Sequence, residues 1–439
     1  MRKAGGLTGF TPYAALIALA LVLRLGAIAA TPGFEPKLDA AHYDGLACLL
    51  AHGEGYSLRV PSGRSEDSCG RMPEGENPPT AFRPPGWPAV LAAVTAVAEP
   101  ERWTVARLLQ TLIGTAAVAL IGLAGFLLLG PPGAVAAAAL AAVDTTLLVV
   151  GASLMSEPLF VALVAAAVCA ALAARRVSPS PHGPGGRRWW AWVAAAGLLL
   201  GLATLVRSNG PAVLPAVALL AATGWRRALA AAVVAGAALV LVVAPWTVRN
   251  AVVMDAFVPV ASYVGTGLAG TFNDQARTRE DHPGAWLSPR HVPAYRDIHL
   301  SGMSEIDKQR ELRRRAIEYA KDHPLYVPEA AARNVLRVLS LQDLSWHRGS
   351  AESLSLPRWT GPFAAAGFWV LLLLAAASLL GGAHRQVPAA LWLGPVLLMA
   401  SAVVAGGEMR YRAPVVPFLI LLSAPLLVRL GDARRSSRP

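Results

Sequence analysis

Long apolar runs recur along almost the whole chain, separated by short polar segments. Ten of them are candidate membrane-spanning helices: 10–30, 104–130, 134–153, 157–174, 189–206, 209–223, 228–246, 361–381, 387–405 and 412–428. A helix needs about 20 mainly apolar residues to cross a bilayer, so the short run 209–223 is either thinly inserted or merged with its neighbour. The pattern predicts an all-α polytopic membrane protein with about 10 transmembrane helices, in a range of about 9 to 12.

The basic residues between the runs predict the orientation of the chain. If residues 1–9 are cytoplasmic and the spans alternate, the cytoplasmic segments hold 13 of the 39 Arg and Lys residues and one acid, Asp432. Short loops rich in Arg and Lys stay on the cytoplasmic side. Both termini are therefore predicted to be cytoplasmic in a cell inner or plasma membrane.

This topology divides the chain into six parts. The predicted parts are a cytoplasmic N-terminus with the first span (1–30), a first extracytoplasmic loop (31–103), core spans (104–246), a large extracytoplasmic segment with interfacial helices (247–360), C-terminal spans (361–428) and a basic cytoplasmic tail (429–439).

The composition excludes two broad classes of protein. Apolar residues make up 55% of the chain and charged residues 15%, whereas soluble domains are about one quarter charged and disordered chains are poor in apolar residues. A net charge of +12 would suggest nucleic-acid binding in a soluble protein. Here the basic residues follow the predicted topology, so we expect a membrane protein with no nucleic-acid partner.

The three cysteines are too few for a disulfide scaffold or a structural zinc site. Cys169 lies within a predicted span, whereas Cys48 and Cys69 share the first outer loop, where a disulfide and two unpaired thiols remain alternatives. The sequence contains neither a GxxxxGK[ST] motif nor a GxGxxG motif after a strand, so an ATP-driven pump and a Rossmann-type enzyme are unsupported.

The first outer loop offers a candidate catalytic acid. Apolar positions after Asp39 recur with helical spacing, and the pattern predicts a juxtamembrane helix that Asp39 caps and Gly53 ends. Asp39 and Tyr43 are four residues apart and share a face of this helix. An acid at the membrane interface can act as a general base, and an ordinary N-cap is the alternative. The apolar stretch 89–98 is too short to span and predicts a second juxtamembrane helix.

A second candidate acid begins a predicted span. Ser156, Glu157 and Pro158 are typical of a helix start, and the topology places Glu157 at the same outer face as Asp39. Compensation of the helix dipole is the alternative role for Glu157. Asp144 lies inside a run, where it is a functional candidate by default or a structural partner of Arg24.

Four arginines are candidate ligands for a phosphate at the outer face. Arg83 lies among prolines and aromatic residues of the first loop, and the others lie at the outer ends of spans: Arg207, Arg249 and Arg410, the last followed by Tyr411. Guanidinium groups bind phosphate through paired hydrogen bonds. Solvated or snorkelling arginines are the alternative.

Six short motifs follow one another at the predicted outer face: Asp39-x-x-x-Tyr43, Pro79-Thr80-Ala81-Phe82-Arg83-Pro84-Pro85-Gly86, Met155-Ser156-Glu157, Gly201-Leu202-Ala203-x-x-x-Arg207, Pro245-Trp246-x-x-Arg249-Asn250 and Arg410-Tyr411-x-x-Pro414. In this order they resemble the GT-C integral-membrane glycosyltransferases. The resemblance is in particular to the bacterial protein-mannosyltransferase-like family, which includes the aminoarabinose lipid A transferases and the rhizobial core-oligosaccharide transferases.

The resemblance implies a GT-C-like helix bundle, a polyprenyl-phosphate-linked sugar donor and an active site on the extracytoplasmic face. Asp39 matches the family's first-loop acid, and Glu157 matches its acid at the second outer turn. The family often has Asp-Glu at the first site, whereas Asp39 is followed by Ala40. A divalent metal ion is therefore an open expectation, and no other cofactor is implied.

The expected reaction is an inverting hexosyl or pentosyl transfer. Asp39 would take the proton from an acceptor hydroxyl, and one or two arginines would stabilise the departing lipid phosphate. The acceptor would be a lipid, a glycan or a protein. A secondary transporter or lipid flippase is the alternative function, and a separation of Asp39 and Glu157 above about 15 Å would favour it.

Overall fold

The computed structural model describes residues 11–57, 78–177, 186–404 and 406–436. The described ranges are almost entirely helical, and their only β contact is an isolated antiparallel bridge between Ser57 and Pro79. Their α-helices are α1 Thr11–Ala29, α2 Leu38–Ala51, α3 Gly86–Ala98, α4 Arg102–Val143, α5 Thr145–Gly151, α6 Glu157–Arg176, α7 Arg187–Val206, α8 Leu214–Leu220, α9 Trp225–Val253, α10 Val264–Thr271, α11 Asp274–Thr278, α12 Arg296–Leu300, α13 Glu305–Asp322, α14 Tyr326–Val338, α15 Leu344–Ser353, α16 Thr360–Leu380, α17 Leu393–Val404 and α18 Val416–Ser436.

Within these ranges, seven helical segments are long and apolar enough to cross a membrane: Thr11–Ala29, Arg102–Val143, Glu157–Arg176, Arg187–Val206, Trp225–Val253, Thr360–Leu380 and Met409–Arg434. Three shorter apolar helical segments are Gly86–Ala98, Gly210–Leu220 and Ala389–Val403. All ten predicted runs are mainly helical where the structure describes them, and the predicted all-α multi-pass architecture is confirmed.

The long helix α4 is a hairpin, which is why one helix contains two predicted runs. Gly130 has φ 73° and ψ −162°, and two prolines follow it, so the helical path is interrupted there. The two halves then pack face to face, since a Cβ added to Gly125 would lie 2.4 Å from the carbonyl oxygen of Gly133. Small residues allow such close approach between helices in membranes.

The second predicted run of this pair is itself broken at Asp144. The Asp144 carboxylate caps α5 by accepting a hydrogen bond from the Leu147 amide at 2.8 Å. Arg24, the partner considered from the sequence, donates instead to the carbonyls of Ala20 and Ala141 at 3.1 and 3.5 Å. Asp144 therefore has a structural role as a helix cap.

The helices α6 and α18 are the most deeply buried candidate spans, and α6 packs between α4 and α7. At one end of this bundle lie the start of α6 at Glu157, the residue after α7, Arg207, and the turn before α18 at Arg410. The opposite end carries the basic pair Arg175 and Arg176. The two ends of α6 thus differ in charge, with Glu157 at one end and this basic pair at the other.

Residues 264–353 add a small helical unit, which has its own core: Ala269, Val292, Tyr295, Ile298, Leu312 and Ala316. The helix α13 of this unit contacts the first loop through Glu305, which accepts a hydrogen bond from the Ala81 amide at 3.1 Å. The unit therefore lies at the end of the bundle that carries Glu157 and Arg410.

We expect an impermeant thiol reagent to label His291→Cys but not Gly186→Cys in intact cells. Residues 186 and 291 are both exposed, and they lie in segments that the topology places on opposite sides of the membrane. Permeabilised cells provide the control, because both positions should then react. Labelling of position 186 and not of position 291 in intact cells would contradict the predicted orientation.

Candidate active site

The helix α2 presents Asp39 from its first turn, not from its cap. The N-cap position is Lys37, which makes no side-chain capping bond, so the prediction that Asp39 caps this helix is wrong. The helix ends at Ala51 with His52 as its C-cap, and Gly53 follows with a φ of +79°, a conformation that suits the glycine predicted to stop the helix. Because the Asp39 carboxylate caps nothing, it is available for contacts outside the helix.

A buried ion pair fixes α2 to the bundle. Both carboxylate oxygens of Asp44 accept from Arg102 at the start of α4, at 3.0 and 3.3 Å. Cys48, on the same helix, is buried and disulfide-bonded, whereas Cys69 lies outside the described residues. Asp39 is therefore carried by a firmly anchored helix.

Asp39 lies between two guanidinium groups from distant parts of the chain. Arg83 of the first loop pairs with one carboxylate oxygen, and Arg410 pairs with the other. The side chains of Arg83 and Arg410 are 15% and 10% exposed. Water is thus largely excluded from both contacts, which strengthens them.

Glu157 joins the same cluster from the start of α6. Its side chain is fully buried and pairs with Arg207 at 2.7 Å, and the Nε atom of Arg410 lies 3.9 Å from the same oxygen. Arg410 therefore contacts both Asp39 and Glu157. The Arg410 guanidinium lies between Asp39 and Glu157. The two acids are therefore much closer together than the separation of about 15 Å that would favour a transporter.

Ser156 and two tyrosines complete this acid–arginine cluster. The Ser156 hydroxyl makes no capping bond for α6 and instead lies 3.3 Å from the Tyr43 hydroxyl and 3.2 Å from Arg207. The ring of Tyr411 lies against the guanidinium groups of Arg207 and Arg410, whose Cζ atoms are 5.5 and 5.1 Å from the ring centroid. The aromatic rings stabilise the cations through their π faces.

The electrostatic surroundings shift the pKa values of two side chains on α2, Asp39 and His42. Burial alone would raise the pKa of Asp39, but the guanidinium groups of Arg83 and Arg410 outweigh burial and hold that pKa below its usual range. Burial, with Arg83 as a second cause, lowers the pKa of His42 to about 4. At neutral pH, Asp39 is therefore ionised and His42 is neutral.

The three arginines of the cluster retain free donor capacity. In the described part of the chain, the Nε atoms of Arg83, Arg207 and Arg410 are buried and find no hydrogen-bond acceptor. A buried donor without an acceptor costs about 1–3 kcal/mol. An incoming anion such as a phosphate would satisfy these donors.

The cluster does not fit a divalent metal ion. Two carboxylates face three guanidinium groups, and each carboxylate is already paired with arginine. Among the described residues, no group of three His, Cys, Asp or Glu side chains could hold a metal. The guanidinium groups that already pair with these acids would oppose a divalent cation, and their Nε–H donors, which have no acceptor within the described ranges, suit an anionic ligand.

Of the predicted site residues, the structure brings together Asp39, Tyr43, Arg83, Glu157, Arg207, Arg410 and Tyr411. Arg249 is the exception. It donates to the carbonyl oxygens of Thr80 and Tyr56 at 2.7 and 3.0 Å, so its donors hold backbone and do not face the acids. Arg412, two residues after Arg410, is fully buried, and its partners are Thr146, Ser340 and Ala364.

Two members of the site were not predicted as functional. The sequence around Ser156 indicates only a helix start. His42, whose Nδ1 lies 3.5 Å from the Arg83 guanidinium, follows Asp39 by three residues, which places both on one helix face. The spacing of His42 was a usable signal, whereas the hydroxyl contacts of Ser156 depend on residues remote in sequence.

Part of the chain matches a known family model, and its fold matches solved structures. Residues 96–261 match the model of the dolichyl-phosphate-mannose-protein mannosyltransferases. No curated protein sequence matches the chain. The archaeal oligosaccharyltransferase AglB from Archaeoglobus fulgidus, in complex with an inhibitory peptide and a dolichol-phosphate, is similar with a TM-score of 0.56 at 14% identity, covering 97% of this chain and 51% of that one.

The oligosaccharyltransferase of the same organism, tethered to an acceptor peptide, is similar with a TM-score of 0.57 at 14% identity, over 97% of this chain and 50% of that one. The chain thus spans about half the length of these structures. The oligosaccharyltransferase is a GT-C glycosyltransferase. This chain has the GT-C membrane fold.

The GT-C fold predicted from the six motifs is therefore confirmed. ArnT from Cupriavidus metallidurans, in the apo state, matches with a TM-score of 0.42 at 12% identity over 96% of this chain and 78% of that one. That score is too low to establish a common fold.

Proposed function

We propose that this GT-C protein is a membrane glycosyltransferase that moves a sugar from a polyprenyl-phosphate-linked donor to an acceptor on the extracytoplasmic face. The observation that carries the proposal is the acid–arginine cluster, in which Arg410 contacts both Asp39 and Glu157. It combines an acid able to accept a proton with buried cationic donors able to hold a phosphate.

The arginines would hold the donor phosphate and stabilise the charge that develops on it. When the bond between the anomeric carbon and the phosphate oxygen breaks, its electron pair stays on the phosphate, which gains a negative charge. The Nε–H groups of Arg83, Arg207 and Arg410 have no acceptor in the described structure and would donate to this phosphate. Preorganised donors of this kind are often the largest catalytic contribution.

Asp39 would act as the base in an inverting displacement. It would take the proton from an acceptor hydroxyl while the hydroxyl oxygen attacks the anomeric carbon from the face opposite the phosphate. In the absence of donor, Arg83 and Arg410 lower the pKa of Asp39, which makes it a weak base. A phosphate that competes for these arginines would raise the basicity of Asp39 when the substrate is in place.

Glu157 would orient the site without transferring the proton. Its carboxylate is fully buried against Arg207 and lies near Arg410, so it fixes both cations at the place of the phosphate. Tyr43 and Tyr411 would line the same place, since Tyr43 touches Ser156 and Tyr411 stacks on both cations. We propose no metal-dependent step, because the cluster does not suit a divalent cation.

The match to a dolichyl-phosphate-mannose-dependent family model and the dolichol-phosphate bound to the archaeal oligosaccharyltransferase support a lipid-phosphate donor. They leave open a hexosyl or a pentosyl group and a lipid, glycan or protein acceptor. An active site facing away from the cytoplasm, in the inner or plasma membrane, follows from the predicted topology.

The proposal is tested by incubating the purified protein, in liposomes, with polyprenyl-phosphate mannose and envelope material from cells lacking the gene. We expect polyprenyl phosphate to be released and mannose to appear on an acceptor. If the donor crosses between leaflets with its sugar still attached, the flippase alternative is favoured. A test with other polyprenyl-phosphate sugars separates sugar specificity from absence of activity.

The pH dependence of kcat/KM is expected to lack an acid limb between about pH 5 and pH 8. Asp39 has a lowered pKa, so its base form is lost only as the pH falls toward that lowered value. His42 has a pKa of about 4 and also stays neutral in this window. An acid limb centred near pH 6 to 7, as for an ordinary histidine, would contradict this assignment.

A further inference from the structure

We propose that Glu305 is a positioning residue. Together with Arg249, it fixes the position of the Arg83 guanidinium relative to Asp39 from outside the acid–arginine cluster. This inference rests on the proposed function, because it assigns the reason why Arg83 is held at Asp39. Neither residue contacts the two acids through a described hydrogen bond or ion pair. Both hold the backbone of the short Pro-rich segment 78–85, which carries Arg83.

The Glu305 carboxylate is the hub of this arrangement. It accepts hydrogen bonds from the Thr80 hydroxyl, from the Ala81 amide at 3.1 Å and from the Ser262 hydroxyl at 2.7 Å. The Ser262 amide in turn donates to the Ala81 carbonyl at 2.9 Å. Thr80 and Ala81 are fully buried, so these hydrogen bonds form away from water and are charge-assisted, which makes them strong.

Arg249 holds the other side of the same residue. It donates to the Thr80 carbonyl at 2.7 Å and to the Tyr56 carbonyl at 3.0 Å. The Thr80 amide also donates to the Tyr56 carbonyl, at 3.0 Å. The amide, carbonyl and hydroxyl of Thr80 are therefore all bound, and the residue has little freedom to move.

Arg83 follows this fixed point by three residues, along a path that is also held. The Phe82 amide donates to the Thr80 hydroxyl at 2.9 Å, and the Tyr56 hydroxyl donates to the carbonyl of Arg83 at 2.9 Å. Prolines at 84 and 85 restrict the backbone beyond. Displacement of Thr80 would therefore move the Arg83 guanidinium relative to Asp39.

The helical unit that contains α13 helps to position the segment that carries Arg83. Glu305 is the first residue of α13, so the position of that unit determines where the segment 78–85 is fixed. A misplacement of about 1 Å can lower catalysis by about 100-fold. The Glu305 carboxylate thus couples the first loop to the helical unit, beside an apolar cluster that contains Ala81 and Ile306.

The first test measures the position of the segment and does not depend on activity. Glu305→Ala removes all three accepted hydrogen bonds. We expect hydrogen exchange of the backbone amides of residues 80–83, the residues of this segment that are not proline, to become about 10-fold faster or more, because hydrogen bonds to a charged group stabilise more than neutral ones. Glu318→Gln, on the exposed face of the same helix, is the control. Unchanged exchange in Glu305→Ala would overturn the proposal.

The second test asks if Glu305 acts through Arg83. With farnesyl phosphate as the probe, Glu305→Ala should weaken binding, and with a transferable donor it should lower kcat by about 100-fold. In an Arg83→Ala background the same change should have no further effect on either quantity. A full additional loss in that background would contradict positioning through Arg83.

Thr80 provides a matched pair of variants. Thr80→Ser keeps the hydroxyl and should retain slow exchange and normal probe binding, whereas Thr80→Val keeps the shape, removes the hydroxyl and should resemble Glu305→Ala. Equal behaviour of the two variants would overturn the proposal. If wild-type protein transfers no sugar, the proposed function fails, and the exchange measurement still decides the role of Glu305.

Discussion

Asp39→Asn is expected to lower kcat for sugar transfer by about 10²–10⁴-fold, the usual loss when a general base is removed. Asparagine keeps the size of the side chain but cannot accept the proton. It also leaves Arg83 and Arg410 without the carboxylate that pairs with both. Rates should therefore be measured well below the melting temperature of each variant, with a polyprenyl-phosphate sugar as donor.

Asp44→Asn is the matched control for this prediction, because it makes the same substitution five residues along the same helix. Asp44 is a buried acid paired with Arg102, so its loss should cost about 3–5 kcal/mol of stability while the folded fraction keeps its kcat. Glu35→Gln, at an exposed site, should change neither quantity. If Asp39→Asn lowered kcat by only about threefold or less, a loss far smaller than expected, Asp39 would be rejected as the base.

Arg410→Gln is expected to lower kcat/KM by about 10²–10³-fold or more, the loss found when one preorganised donor to a developing charge is removed. The reason is that Arg410 contacts both Asp39 and Glu157 and has a free, buried Nε–H. Its removal leaves the partly buried Asp39 and the fully buried Glu157 with less charge compensation, so the melting temperature should fall as well.

Arg410→Lys distinguishes charge from geometry. Lysine keeps one positive charge but cannot reach both acids and a phosphate with a planar fork of donors, so we expect little recovery of activity. Arg429→Gln is the control, because this arginine lies at the other end of α18, where it donates to Gly381 and Gly382. Recovery of most activity in Arg410→Lys would show that charge alone is sufficient.

The helix bundle was predictable because membrane-spanning helices are a local property of the sequence. Each of the ten apolar runs is mainly helical in its described residues. The two misjudged details were backbone effects. The residues 134–153 divide at Asp144, whose side chain caps a new helix, and α2 begins before Asp39, not after it.

The candidate residues were predictable one by one, but their pairing was not. Asp39 and Arg410 are 371 positions apart, and no local pattern shows that Arg410 would contact both acids. Arg249 had the same local signal as Arg207, a basic residue at the end of a predicted span. Its partners are backbone carbonyls of a segment remote in sequence, which periodicity and spacing cannot identify.

Binding of the lipid phosphate by the acid–arginine cluster is tested most directly by an experimental structure with undecaprenyl phosphate. The purified protein, in a lipid nanodisc, would be imaged with and without this ligand. We predict phosphate density within hydrogen-bond distance of Arg83, Arg207 or Arg410, with the Asp39 carboxylate released from at least one guanidinium. Phosphate density bound elsewhere, with the contacts of Asp39 to Arg83 and Arg410 unchanged, would contradict this prediction.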